Sequence, residues 1–101
     1  MRAKRTDANQ KAITEAFRSC GWVVFVTSSL GFGYPDLHVS RNGQAWLVEI
    51  KDGRKPLSQQ KLTVDELKFH GTWQGPLIII RSVDEALAFI NWETTHGQQV
   101  L

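Results

Sequence analysis

The sequence has one cysteine and no long hydrophobic run, and each shortage excludes a class of protein. The single cysteine, Cys20, excludes an internal disulfide framework. The longest apolar runs, such as residues 76–80, have five residues, far fewer than the roughly 20 residues of a membrane-spanning helix. Arg2, Lys4 and Arg5 are not followed by an apolar segment, which argues against an ordinary secretory signal. We therefore expect a cytoplasmic protein.

What is present is the composition of an ordinary globular domain. The chain has 101 residues, 42% hydrophobic and 22% charged, which is enough for one core and too little for two. Its net charge of +2 favours a polyanionic partner only weakly. The basic residues form one group at the N-terminus and a second at Lys51, Arg54, Lys55 and Lys61. A solvated surface also explains either group by itself.

Hydrophobic periodicity and turn residues predict the order helix, strand, strand, strand, helix, strand, helix. The first helix is capped by Thr6 or Asp7, and capping-box patterns begin at Thr63 and Ser82. The predicted helices end near residues 19, 73 and 92, and the predicted strands cover residues 22–27, 36–40, 44–51 and 77–80. This order predicts an α/β domain with a mixed sheet of about four strands flanked by helices. Cys20 and the four tryptophans fall at core-like positions, so we expect them to be buried.

The second and third strands are predicted to form a hairpin around Asn42-Gly43. This dipeptide favours a type I′ turn, in which both central residues need a positive φ. A two-residue turn pairs Arg41 with Gln44 and places Asp36 directly opposite Glu49, with Cβ atoms roughly 5 Å apart. A longer turn with a bulge at Gly43 would shift this pairing by one residue and leave the two acids neighbours.

Side-chain alternation in the hairpin predicts one apolar face and one polar face. The apolar face carries Leu37, Val39, Trp46, Val48 and Ile50, and the polar face carries Asp36, His38, Ser40, Leu47, Glu49 and Lys51. Two carboxylates directly across a ladder repel each other unless a cation lies between them. A divalent metal ion is the obvious candidate.

The polar face has the groups that metal-assisted phosphodiester hydrolysis needs. Mg²⁺ and Mn²⁺ prefer hard oxygen ligands, which Asp36, Glu49 and the carbonyl oxygen of Ile50 would supply. The Lys51 ammonium would orient a water nucleophile or offset negative charge on the phosphate. On spacing alone, the same residues are also explained by an exposed strand face with weak salt bridges.

Pro35-Asp36 followed by Glu49-Ile50-Lys51 resembles the signature of the PD-(D/E)XK nuclease superfamily. The wider sequence is similar to the small stand-alone VRR-NUC branch, through residues 7–10, 31–37, 47–53, 62–66, 69–70, 81–83 and 85–87. The likeness extends from about residue 5 to about residue 92. It implies one VRR-NUC-like domain over residues 1–101 with a core at about 5–92, and a frayed tail at 93–101.

The resemblance also implies a fold and an activity. The fold would be a restriction-endonuclease-like core, and the activity that of a Mg²⁺- or Mn²⁺-dependent deoxyribonuclease. Asp36, Glu49 and the Ile50 carbonyl would hold the metal, with Lys51 as the activating lysine. Stand-alone members are associated with phages and prophages, and they resemble structure-selective nucleases, including homodimeric enzymes that resolve Holliday junctions. A phage-encoded member would work in the host cytoplasm.

Two positions depart from the family pattern. Many members of the broader fold carry a glutamate on the first helix that faces the metal, but Glu15 here lies opposite the apolar stripe. Asn9 or Gln10 would replace that acid by binding a water of the metal, although Asn9 is about equally explained by satisfying backbone groups. Glu66 stands where related sequences often have glutamine, and its position in a capping box favours a structural role.

The partner expected from these residues is DNA. Arg54, Lys55 and Lys61 are expected to contact its phosphates. Because the domain is small, we expect it to recognise the shape of the DNA more than its base sequence. The competing hypothesis is a non-catalytic DNA-binding or helicase-associated module that keeps the nuclease fold. Against it, such a module gains nothing from placing two acids beside DNA phosphates.

Overall fold

The computed structural model describes residues 8–96, and the predicted order of elements is confirmed within them. The elements are α1 (Ala8–Ser19), β1 (Val23–Val26), β2 (Leu37–Arg41), β3 (Gln44–Ile50), α2 (Val64–Thr72), β4 (Leu77–Ile80) and α3 (Val83–His96), with a short 3₁₀ turn at Leu57–Gln59. The predicted caps Thr6 and Asp7 lie outside the described residues. Between residues 8 and 96, no helix is both long and apolar enough to cross a membrane.

One mixed sheet contains the four strands in the order β1-β2-β3-β4. The first three strands are antiparallel, and β4 runs parallel to β3 after the crossover through α2. Arg41 pairs with Gln44, as predicted from the turn. Asn42 and Gly43 have φ values of 52° and 79°, the positive values that a type I′ turn requires. The sequence thus predicted both the fold class and the register of the hairpin.

The prediction that Asp36 and Glu49 pair directly in the ladder is wrong, because the ladder ends before them at the open end of the hairpin. The ladder of β2 and β3 ends at Leu37 and Val48, and the chain bends at Asp36. The Asp36 amide donates to the Val48 carbonyl over 2.9 Å, and the Asp36 side chain accepts from the Ile50 amide over 2.8 Å. A side-chain acceptor therefore takes the place of a ladder carbonyl, and Asp36 leaves the strand at this point.

The core lies between one face of the sheet and the two helices α1 and α3. The predicted apolar face of the hairpin is confirmed, because its residues belong to a single buried cluster. That cluster comprises Ile13, Phe17, Trp22, Val24, Leu37, Val39, Val48, Ile50, Ile80, Ala86, Phe89 and Ile90, with Trp46 packed against it. Phe17, Trp22 and Phe89 contact one another with ring centroids 5.5 to 6.1 Å apart. This face of the sheet is therefore packed against α1 and α3.

The opposite face of the sheet is only partly open to solvent. His38 is exposed as expected for a polar face, but Leu47 and Glu49 are 1% and 2% exposed. Side chains of α2 contact Glu49 and Lys51 on this face. The helix begins with the predicted capping box, in which Thr63 and Glu66 exchange backbone and side-chain hydrogen bonds. Burial of a carboxyl on the polar face is the result that alternation alone did not predict.

Burial of some individual residues also differs from expectation. Trp22 is buried and Trp46 half-buried, but Trp73 and Trp92 are 42% and 52% exposed. Cys20 is exposed because α1 ends at Ser19 and the chain turns at Gly21 with φ of 88°. These positions are at or beyond helix ends, or on the outer side of a helix, where periodicity does not determine burial.

The third helix is longer than predicted. It continues to His96, so residues 93–96 are helical and not a frayed tail. Glu93 is buried on the same helical face as Ala86 and Ile90, which extends the packing face by another turn. Residues 97–101 lie outside the described residues.

Candidate active site

Asp36 is fixed by its main chain as well as by its carboxyl group. The Thr27 amide donates to the Asp36 carbonyl, and the Thr27 hydroxyl donates to the Pro35 carbonyl, both over 2.8 Å. The Asp36 side chain accepts the Ile50 amide and is 7% exposed. The first predicted metal ligand is therefore held at the open end of the hairpin, beside the end of β3.

Glu49 is a buried carboxyl group beside a second acid. Burial, with the negative charges of Asp36 and Glu66, raises the pKa of Glu49 from 4.5 to about 9. A hydrogen bond from the protonated Glu49 carboxyl group to the Asp36 carboxylate adds to this rise. The Glu49 Oε1 atom is buried and has no hydrogen-bond partner. An unsatisfied oxygen of this kind is costly without a ligand, because its desolvation is not compensated.

The acidic pair fits a divalent cation. Asp36 and Glu49 supply the hard oxygen donors that Mg²⁺ and Mn²⁺ prefer, and a cation between them would offset their repulsion. Over residues 8–96 there is no group of three or more His, Cys, Asp or Glu side chains suited to a metal ion. The remaining ligands would therefore come from water or from the main chain, where the Ile50 carbonyl is the expected ligand.

Lys51 is held by an ion pair that the sequence did not predict. Its Nζ atom lies 2.7 Å from Oε1 of Glu66, and the two side chains are 13% and 15% exposed. The same Glu66 oxygen accepts the Thr63 amide over 2.9 Å. Burial by itself would raise the pKa of Glu66, but the hydrogen bonds from Lys51 and the Thr63 amide lower it overall. The capping role expected for Glu66 is confirmed, and the same residue also orients the candidate catalytic lysine.

His70, to which the sequence assigned no role, also lies at this site. Its Nε2 atom lies 3.6 Å from Oε1 of Glu49, and neither atom has a hydrogen-bond partner. Burial lowers the pKa of His70, with Lys51 adding to the effect and Glu66 opposing it. The available signal was the spacing of Glu66 and His70, which places both on one face of α2.

The loop before Asp36 determines how closely α2 approaches the strands. Gly33 has φ of 80°, and a Cβ atom there would collide with the carbonyl group of Asp65 in the first turn of α2. One step further along the loop, Tyr34 packs edge-on against Phe69, with ring centroids 5.1 Å apart. Because Asp36 follows Tyr34 by two residues, one loop positions both the first acid and the helix that carries Glu66 and His70.

Asn9 lies at the end of β3 and reaches the main chain. Its Nδ2 atom donates to the carbonyl of Lys51 over 2.9 Å and to the carbonyl of Arg81 over 3.3 Å. Gln10 is 6% exposed and donates to the Ser28 hydroxyl over 3.3 Å. Glu15 is exposed on the outer side of α1. Asn9 therefore joins α1 to the Glu49-Ile50-Lys51 segment through the carbonyl of Lys51.

The predicted phosphate-contacting residues lie between β3 and α2. Lys55 and Lys61 are exposed, and the Arg54 side chain is 80% exposed while pairing with Asp52 over 3.2 Å. Hydrogen bonds from Arg54 lower the pKa of Asp52. The Gln60 side chain donates to the Lys55 carbonyl over 2.7 Å, which ties this segment to itself. It borders an open cleft of about 920 Å³ whose lining includes Asn9, Arg54 and Arg81.

The mixed sheet and the helices on both of its faces form an α/β domain that is consistent with the restriction-endonuclease-like class. The structure is similar to a solved VRR_NUC domain, with a TM-score of 0.61 and 26% sequence identity. The match covers 86% of this chain and 90% of that chain. It supports assignment as a VRR-NUC, PD-(D/E)XK-like nuclease domain, which confirms the resemblance seen in the sequence. No family profile and no curated protein matches the sequence.

Proposed function

We propose that this domain is a metal-dependent endonuclease that hydrolyses phosphodiester bonds in DNA, with branched or distorted duplex, such as a Holliday junction, as its substrate. The observation that carries the proposal is the buried Glu49 carboxyl beside Asp36, with its Oε1 atom unsatisfied. A carboxyl pair of this kind destabilises a protein that only binds DNA, and it is useful to one that must hold a cation.

The site residues are proposed to have three roles: holding the metal, acting on the phosphate or attacking water, and positioning Lys51. Asp36, Glu49 and the Ile50 carbonyl would hold Mg²⁺ or Mn²⁺, and the bound cation would stabilise negative charge developing on the phosphate. Lys51 acts beside them: its ammonium group, oriented by Glu66, orients the attacking water or offsets charge on the phosphate. Asn9 serves as a positioning residue, because it holds the carbonyl group of Lys51.

Recognition of DNA would depend on backbone contacts and shape. Arg54, Lys55 and Lys61 are exposed on one segment beside the Lys51 end of β3, where they can meet phosphates. A four-way junction has two symmetry-related strands to cut, so a homodimer is the assembly that suits it. A cytoplasmic location, the host cytoplasm for a phage-encoded protein, stays a prediction.

A cleavage assay tests the proposal. The protein is incubated with a four-way junction, a linear duplex and a single strand of the same sequence, with Mg²⁺, with Mn²⁺ or with EDTA. We expect cutting only with a metal ion, and faster cutting of the junction. The isosteric variants Asp36→Asn and Glu49→Gln should lose activity by at least 100-fold, roughly the size of effect seen when a key catalytic group is removed.

Three other outcomes of this assay would contradict or narrow the proposal. Undiminished cutting by either acid variant would refute the assigned site. Binding of the junction without cutting under any metal condition would favour the non-catalytic DNA-binding or helicase-associated module. Equal rates on the junction and the linear duplex would leave a nuclease without the proposed selectivity.

A further inference from the structure

Two buried polar atoms without partners face each other at the candidate metal site. Oε1 of Glu49 and Nε2 of His70 are 3.6 Å apart, and each is shielded from solvent. The Glu49 and His70 side chains are 3% and 13% exposed. Buried polar atoms are nearly always paired in folded proteins, so two such atoms this close together need a common explanation.

We propose that His70 is a positioning residue for Glu49, donating a hydrogen bond from Nε2–H to Oε1 when the carboxylate holds the cation. The assignment rests on the function proposed above. A neutral imidazole has one N–H group, and the tautomer with its proton on Nε2 supplies a donor to one lone pair of Oε1, which leaves the other lone pair for the cation. Closing the 3.6 Å separation to a hydrogen bond needs a movement of about half an ångström.

The arrangement of α2 supports this role. Glu66 and His70 lie one helical turn apart on α2, and Glu49 and Lys51 lie two residues apart on the facing strand segment. Glu66 contacts Lys51 and His70 contacts Glu49, so the helix meets each of the two site residues with one side chain. Carboxylate ligands of metal ions are usually oriented by a hydrogen bond of this kind, which fixes the lone pair that faces the metal. The helix thereby completes the site from the side opposite the core.

The test is Mn²⁺ binding by titration calorimetry on the full chain without nucleic acid. His70→Leu removes the donor and fills the buried position with an apolar side chain. His70→Gln instead places an amide N–H donor near the position of Nε2. His96→Ala is the control, since His96 stacks on Trp92 near the end of α3. We expect His70→Leu to weaken Mn²⁺ binding by about 10-fold or more and His70→Gln to restore most of it.

A second readout separates positioning from a general loss of structure. The Mn²⁺ concentration for half-maximal cleavage should rise in His70→Leu, while its affinity for junction DNA in EDTA should stay at the wild-type value. Wild-type Mn²⁺ affinity in His70→Leu, or equal weakening in the Leu and Gln variants, would overturn the assignment of His70. Absence of Mn²⁺ uptake by the wild-type protein, both alone and alongside junction DNA, would instead overturn the proposed function, and the role of His70 with it.

Discussion

The amide group of Ile50 donates a 2.8 Å hydrogen bond to Oδ2 of Asp36. The bond joins the residue that precedes β2 to the last residue of β3, where the ladder itself has already ended at Leu37 and Val48. The same carboxyl group also contacts Glu49. Asp36 therefore closes the hairpin and forms half of the acidic pair, so its structural and chemical roles can be separated by mutation.

Asp36→Asn and Asp36→Ala should differ in stability but not in activity. Asparagine keeps an oxygen acceptor for the Ile50 amide, whereas alanine leaves that buried donor unsatisfied, at a cost of about 1–3 kcal/mol. Urea unfolding should show the loss in the alanine variant only, and both variants should fail to cleave DNA. Equal stability of the two variants would mean that the Asp36–Ile50 bond contributes little to the fold.

Stability without metal should fall as pH rises, because Glu49 is easier to bury when protonated. Its folded pKa, about 9, lies above the ordinary 4.5, so its stabilising contribution is complete below about pH 4.5 and is lost as pH rises towards 9. Glu49→Gln removes this titration. Thermal melts in EDTA from pH 5 to 9 should show a steeper decline for the wild type than for Glu49→Gln. Parallel curves would contradict the raised pKa.

Local backbone chemistry explains which parts of this structure the sequence predicted. The Asn42-Gly43 turn and the Thr63–Glu66 capping box depend on neighbouring residues alone, and both are present as expected. The approach of His70 to Glu49 depends on the packing angle of α2, which no short pattern encodes. The hydrogen bond from the Ile50 amide to Asp36 was not predicted for a related reason. Alternation along a strand predicts the face of the sheet on which each side chain lies, but not where the ladder ends.

Glu66→Gln should slow cleavage while leaving α2 intact. Glutamine still accepts the Thr63 amide in a capping box, but it removes the charge that pairs with Lys51. Thr63→Ala makes the converse change, because it removes the cap at a cost of about 1 kcal/mol and leaves the ion pair. Cleavage rates and melting temperatures of both variants test this division. A catalytic loss that follows stability, and not the Lys51–Glu66 pair, would remove the orienting role from Glu66.

Gly33→Ala should displace α2 and weaken the site, and Gly31→Ala is its matched control. Both glycines have positive φ, 80° and 78°, so alanine adds a similar backbone strain of about 1 kcal/mol at each. Only at Gly33 does the new methyl group meet the Asp65 carbonyl, whereas nothing lies within 4 Å at Gly31. We expect Gly33→Ala to lose more stability and to weaken Mn²⁺ binding as well. If the two variants behave alike, the close approach of this loop does not control the position of α2, and the contacts of Glu66 and His70 with the strand must be maintained by other packing.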